Sequence, residues 1–524
     1  MPEPHTPILV GGGQITQKGA AIADALSPMQ LMAHAAKRAL ADARGGDARG
    51  GDALAAALDT VAVVRFTADS PEAGSLPFGQ YPNAPRSLAN AIGATPAREL
   101  YTATGGNTPQ WLVNRTAEEI ARGDAECVLL AGSEALASML AAATQGEMLD
   151  WGDDPGGAPT PIGVEKPGVN ETERRHLMFF PVNTYPLFEN AIRGRLGRGV
   201  ADHQLAMGKL FSKFTQVAAD NPYAWFPTFR TPEEIATETD TNRYVGFPYT
   251  KYMNSIIRVD QAAAVVMMSV QKARELGIPE DRWVYLHGCG DANDLWYVSD
   301  RVNYHSSPAI RTIGQKALAM AGATIDEIDY LDLYSCFPSA VEIGAQELGL
   351  AIDDPRGFTV TGGLPYFGGA GNNYVMHSIV TMLDKVRAKP GSKGLCTANG
   401  WFVTKHSIGI YSTTPTQGHW VREDPATYQA TLDAMDHPVV DATPEGGAKI
   451  ETYTVVHGRK GPQFGLIIGR KNDTGHRFVA HAPSDPAVLD AMKTQEMLGA
   501  PGHVTPAAPG ADGKLGVNIF TPAA

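Results

Sequence analysis

Cysteine is scarce in this chain. Cys127, Cys289, Cys336 and Cys396 are the whole complement of 524 residues. They are too few and too scattered for a disulfide framework, which predicts a reducing, cytoplasmic setting. No run of about 18 uncharged apolar residues occurs, so no membrane-spanning helix is expected. The N-terminal MPEPHTPILVGGG has no basic stretch followed by an apolar one, so no signal peptide is expected either. Positive charge is in short supply: 43 Lys plus Arg stand against 56 Asp plus Glu, for a formal net charge of −13. That balance argues against nucleic acid or an anionic membrane as a partner for the whole surface.

Several common catalytic motifs are also missing. Neither Gly208-Lys209 nor Gly513-Lys514 is followed by Ser or Thr, so there is no P-loop. No His-Glu-x-x-His, no paired C-x-x-C and no Gly-x-Ser-x-Gly elbow occurs. His287-Gly-Cys289 is a lone pair that reads as structural, and no metal site is expected. Composition is that of a globular protein, with 43% hydrophobic and 19% charged residues, and the length calls for two or three domains.

The first readable unit is the strand Thr6–Val10, ending in Gly11-Gly12-Gly13, which fails G-x-G-x-x-G and reads as a tight turn. Ser27-Pro28 with Gln30 forms a capping box that opens a helix with an apolar face at Met32, Ala35, Ala36, Ala39 and Leu40. The β-branched run Thr60–Phe66 reads as a buried parallel strand. The second half repeats this order. Ser307-Pro308 opens a helix, and the strand Tyr330–Tyr334 follows. The first half is longer between these landmarks by the length of the tandem ARGGD-ARGGD at 43–52, expected to be a surface loop. Glycine-rich turns then feed helices at Trp111–Ile120 and Tyr374–Leu383, so the two αβ halves suggest an internal duplication.

Between the halves, residues 144–255 are rich in Pro, Gly and aromatics and read as an inserted subdomain. Within them Arg193, Arg195, Arg198, Lys209 and Lys213 face only Asp202, a solvated helical face or a cradle for a phosphorylated ligand. Past Thr413, short β-type runs at Ala448–Val456, Phe464–Ile468 and His476–Ala480 predict a small antiparallel barrel.

Particular residues resemble the thiolases, in the branch related to sterol carrier protein thiolases. They are Ile120-Ala-x-Gly-Asp124 running into Val128-Leu-Leu-Ala-Gly-Ser-Glu134, Asn221-Pro-Tyr-Ala224, Asp260-Gln-Ala-Ala-Ala-Val265, Glu327-Ile-Asp-Tyr-Leu-Asp-Leu333 and Thr361-Gly-Gly-Leu364. The likeness covers about 6–415, and the C-terminal barrel looks like OB-type domains that partner thiolase-like proteins. Together they resemble thiolase-like proteins type 1. The resemblance implies an α/β fold of duplicated α/β/α layered halves over 1–415. The N-terminal half is 1–143 plus 256–270, the inserted loop subdomain 144–255 and the C-terminal half 271–415. An OB-like barrel at 416–524 follows.

Thiolases attack with a cysteine at a helix N-terminus, where the helix dipole favours the thiolate. In this chain the matching position is Gly106. The family's activating histidine matches Gly369 in Gly368-Gly369-Ala370, and its second cysteine matches Ala398 in Ala398-Asn399-Gly400. A fourth motif matches Tyr334-Ser335-Cys336-Phe337. The resemblance therefore implies an acyltransferase-like, acetyl-CoA acetyltransferase-type protein with little or no thiolase activity, and whether any catalysis remains is open.

Candidate catalytic residues are Tyr334, Cys336 and Tyr366, the two tyrosines as proton donors or acceptors facing each other. Thiolase-like lyases that cleave by retro-aldol chemistry use tyrosines in such loops, so a carbon–carbon lyase acting on a 3-hydroxyacyl-CoA is one alternative, and a non-catalytic scaffold another. Cys396, His377 and His406 read as structural. Asn107-Thr108-Pro109 reads as a capped helix start whose N–H groups can hold a thioester oxygen. By resemblance, Arg195, Arg198, Lys209 and Lys213 become candidates for the phosphates of a coenzyme A ester, the one ligand implied, with no cofactor required. Ser255 lies near the family's serine contact but out of step with it. Thiolases are commonly dimers or tetramers and an added domain can cover the usual interface, so self-association and a protein partner both stay open.

Overall fold

The computed structural model describes residues 2–69, 79–508 and 516–523, and Gly513-Lys514 lies outside them. The two halves share one ten-stranded sheet. In the first half Pro7–Thr16, Asp260–Ser269, Cys127–Ala135, Thr60–Val63 and Arg98–Thr102 lie side by side. The first two junctions are antiparallel and the last two parallel. The second half repeats the arrangement with Val284–Asn293, Lys405–Ser412, Lys393–Gly400 and Tyr330–Asp332, again antiparallel, antiparallel, parallel. Ile8 and Leu9 pair with Tyr285 and Val284 and join the halves. Asp260–Ser269 is buried along its whole length, as its unbroken apolar run requires of a strand covered on both faces.

The duplication extends to a close approach of helix to strand. The expected turn at Gly11–Gly13 is not there; the strand runs on to Thr16, with a bulge between Leu9 and Gly11. A Cβ at Gly11 would overlap the carbonyl oxygen of Ala39 in the helix Pro28–Asp42, which lies directly on this strand. Gly288 meets Ala317 of the helix Pro308–Ala321 in the same way. The glycines therefore serve packing, not a turn. The capping box at Ser27 and Gln30 is formed. The ARGGD repeat is not a loop throughout: its second copy opens the helix Ala48–Ala55, with Asp47 accepting from the Arg49 N–H at 3.1 Å and Leu54 and Ala55 buried.

The inserted segment contributes the helices Pro181–Arg195 and Val200–Asp220 and the strand Thr160–Ile162. That strand pairs with Arg98–Thr102 and covers the outer edge of the first half. Beyond 415, Trp420 donates to the Leu286 carbonyl at 2.8 Å, and the helix Pro425–Asp433 lies against the strand Val284–Asn293.

The C-terminal barrel is closed. Gly446–Gly458, Gly461–Lys471, Arg477–His481, Ile519–Pro522 and Pro501–Thr505 pair in turn, and the last returns to the first. A hairpin from the inserted segment, Tyr244–Gly246 with Tyr249–Thr250, joins it through Gly246 and Val456. The barrel is fastened to the body by Arg477, which is fully buried. Its guanidinium grips Glu451 at 2.7 and 2.9 Å and donates to the carbonyls of Ser299 and Arg301.

Candidate functional site

Two helices occupy equivalent places in the halves, Thr108–Arg122 and Tyr374–Ala388. Gly106 lies just before the first. A Cβ built there would overlap the Tyr334 hydroxyl and lie 2.5 Å from the Asn399 carbonyl oxygen and 3.1 Å from the Tyr334 Cζ. The phenol therefore fills the space that a side chain at 106 would need. Tyr334 is held there by its ring, edge-on to Tyr374 at 5.8 Å, and by its N–H, which donates to Thr397 Oγ1 at 2.9 Å. Burial, reinforced by Cys336 and Tyr374, raises the Tyr334 phenol well above its ordinary range. It is thus a hydrogen-bond donor near neutral pH and a poor base.

Gly369 repeats the pattern. A side chain at 369 would overlap the Ser255 hydroxyl, and its N–H donates to the Ile256 carbonyl at 2.8 Å. Ser255, out of step in the sequence, reaches this position because its own N–H is held by the Cys336 carbonyl at 3.0 Å. Ala398 is buried in the strand Lys393–Gly400, beside Asn399, whose amide donates to Tyr185 Oη at 2.9 Å. The thiols are poor nucleophiles. Burial pushes Cys336 up to about 12 and Cys396 well above the ordinary thiol range, and all four cysteines are buried and unpaired.

Tyr366 does not face Tyr334. It is buried edge-on to Phe211, and its hydroxyl donates to the Tyr252 carbonyl at 2.9 Å. His377 is a core residue, bonded to Gln14 at 2.9 Å and pushed by burial to about 3. His406 pairs with Asp294 at 3.2 Å. Asn107 does not cap its helix by its side chain: the helix starts at Thr108, Pro109 is second, and Asn107 Oδ1 is buried without a hydrogen-bond partner. Thr108 donates its hydroxyl back to the Gly105 carbonyl.

Asn107 and Thr108 border a cavity of about 260 Å³, with Trp111, Trp296, Lys405 and His406 around it. The Lys405 amine donates to the Thr104 carbonyl and lies 6.0 Å over the Trp296 ring. Lys405, Trp111 and Trp296 carry no sequence signal; they become neighbours because Lys405 pairs with Asn293 and the helix Thr108–Arg122 packs against the two strands that carry these residues. A second cavity, of about 390 Å³, brings together Arg198, Lys209 and Lys213, with Asp202, Asp353 and Glu342. Lys213 donates to the Asp353 carbonyl at 3.3 Å. Arg195 is bound to Gln346 instead, and Arg193 is buried against Glu496 of the C-terminal segment at 2.5 and 2.9 Å.

Residues 428–508 match a family model, the thiolase-like protein type 1 additional C-terminal domain. An acetyl-CoA acetyltransferase of Syntrophomonas wolfei subsp. wolfei is 31% identical over 143 residues. That match spans 26% of this chain and 32% of the relative, so the chain covers about a third of that relative's length. Among solved structures, an Ltp2–ChsH2 (DUF35) aldolase is similar in fold at 20% identity and a TM-score of 0.55, over 78% of this chain and 98% of that one. A monomeric SCP2-thiolase-like protein type 1 from Mycobacterium smegmatis is 38% identical, with a TM-score of 0.83 and all of both chains covered. With the closed barrel behind a duplicated thiolase body, the chain belongs to the SCP2-thiolase-like proteins type 1.

Proposed function

We propose that this protein binds acyl-CoA esters but forms no acyl-enzyme, so that acetyl-CoA acetyltransferase activity is negligible. One observation carries the reading. The space a nucleophilic side chain would need at Gly106 is taken by the Tyr334 hydroxyl, and the space at Gly369 by the Ser255 hydroxyl. Two hydroxyls thus stand where the thiolase correspondence expects a thiol and an imidazole. Neither remaining thiol nearby is disposed to ionise. The Asn107 backbone N–H would hold a thioester oxygen, whereas the Thr108 N–H is already taken by the Gly105 carbonyl at 3.0 Å. Arg198, Lys209 and Lys213 would take phosphates, supported by the cavity they share.

A thermal-shift panel of coenzyme A esters of graded chain length tests this. Esters are expected to raise the melting temperature, and Lys209→Ala with Lys213→Ala to weaken the shift. No shift with any ester would point instead to a scaffold that docks through the barrel.

A second reading is favoured by the protonated phenol of Tyr334. It suits an acid that steadies the enolate oxygen released when a 3-hydroxyacyl-CoA is cleaved by retro-aldol chemistry. Tyr334→Phe would then abolish turnover with ester binding intact; an unchanged rate removes this reading.

The monomeric state of the Mycobacterium smegmatis relative supports a monomer here as well.

A further inference from the structure

Glu189, His203 and Glu342 come from three helices, Pro181–Arg195, Val200–Asp220 and Pro338–Glu347, and meet in the interior. Each offers one ligand atom, and these atoms lie within 4.8 Å of one another. His203 Nε2 is 2.5 Å from Glu189 Oε1, and the Tyr249 hydroxyl donates to Glu189 Oε2 at 2.6 Å and accepts from the Ser339 hydroxyl at 2.7 Å. The cluster does not satisfy itself. Glu342 Oε2 and His203 Nδ1 are buried with no hydrogen-bond partner. An orphaned buried carboxylate oxygen is costly, and two carboxylates cannot both stay charged here against a single neutral imidazole.

Glu342 is also the one member of the trio on the wall of the 390 Å³ cavity that opens between Val200–Asp220 and Asp353. The buried donors therefore have a route from solvent.

We infer that Glu189, His203 and Glu342 bind one divalent transition-metal ion of the zinc type, entering through this cavity. The donor set is two carboxylate oxygens and one imidazole nitrogen, which suits a borderline ion rather than calcium or magnesium. The charges of the two carboxylates balance the ion. Ligand atoms around a tetrahedral zinc stand about 3.4 Å apart, a spacing that small side-chain shifts supply here. The ion takes the place of the proton now held between His203 and Glu189, which leaves to solvent. Tyr249 keeps Glu189 oriented through its second oxygen. Arg198, Lys209 and Lys213 at the mouth repel a cation that has no inner ligands, so stoichiometric binding reports the buried donors. The inference does not depend on the acyl-CoA reading.

The test uses the full chain, stripped with a chelator and dialysed against Zn²⁺ or Co²⁺. One ion per chain is expected, with visible Co²⁺ absorption and a raised melting temperature. His203→Gln and Glu342→Gln should each lose at least tenfold in affinity while keeping the far-ultraviolet circular dichroism of the parent. Substoichiometric binding by the parent, or binding by both variants as tight as the parent's, overturns the inference. So does a Glu342→Gln protein that melts higher than a parent binding no ion, because the cluster is then a proton-sharing carboxyl pair.

Discussion

Replacing Gly106 by alanine drives one methyl group into the Tyr334 hydroxyl, with the Asn399 carbonyl oxygen at 2.5 Å and the Tyr334 Cζ at 3.1 Å. Gly106 does not have a positive φ, so the cost is steric and not one of backbone conformation. Overpacking of this kind costs about 1–3 kcal/mol. The upper end is expected, because a strand carbonyl cannot rotate away as a side chain can. Tyr334→Phe removes the nearest of the three obstacles and leaves the other two. In that background the same alanine should cost less by about 1 kcal/mol, the scale of coupling between residues in contact. Urea unfolding of the four proteins of this cycle, under one set of conditions, measures the coupling. Strictly additive costs would show that the phenol does not occupy the space at 106, and the reasoning about the lost nucleophile would fail with it.

Other consequences are as direct. Burial raises the Glu134 carboxyl to about 7. A raised carboxyl stabilises the fold below its unfolded value near 4.5, and that contribution is lost as pH climbs through 7, by up to ~3 kcal/mol. Glu134→Gln should therefore lose less stability than the parent between pH 5 and pH 8 in urea titrations. A parallel pH dependence would contradict this. Arg477→Leu leaves Glu451 with Arg470 alone and strips the buried Ser299 and Arg301 carbonyls of their donor; it should cost about 1–3 kcal/mol, read as a lowered melting temperature and faster proteolysis near the barrel. Replacing Thr160–Ile162 by a Gly/Ser stretch bares the Arg98–Thr102 edge, and light scattering should then report a larger average mass than for the parent.

The duplicated architecture was legible because each half writes it in short-range signals: a serine–proline helix start, a β-branched strand, a glycine turn. The barrel was legible for the same reason. The glycines at 11–13 misled, since their purpose is set by the Ala39 carbonyl of a later helix, which local sequence does not contain. The loop position suggests that Tyr366 faces Tyr334, but its hydroxyl is taken by the carbonyl of Tyr252, a residue of the inserted segment. The basic run at 193–213 looked uniform. Arg193 found Glu496, Arg195 found Gln346, and only Arg198, Lys209 and Lys213 share a cavity. Glu189, His203 and Glu342 each look ordinary in sequence; the meeting of three helices alone makes them a cluster. Ser255 acquires its meaning from a missing side chain at Gly369.

The most direct test of the central claim is the mass of the intact protein after incubation with acetyl-CoA. An unchanged mass, alongside ester-dependent thermal stabilisation, is the predicted outcome. A stable acetyl increment mapped to Cys336 or Cys396 would contradict it.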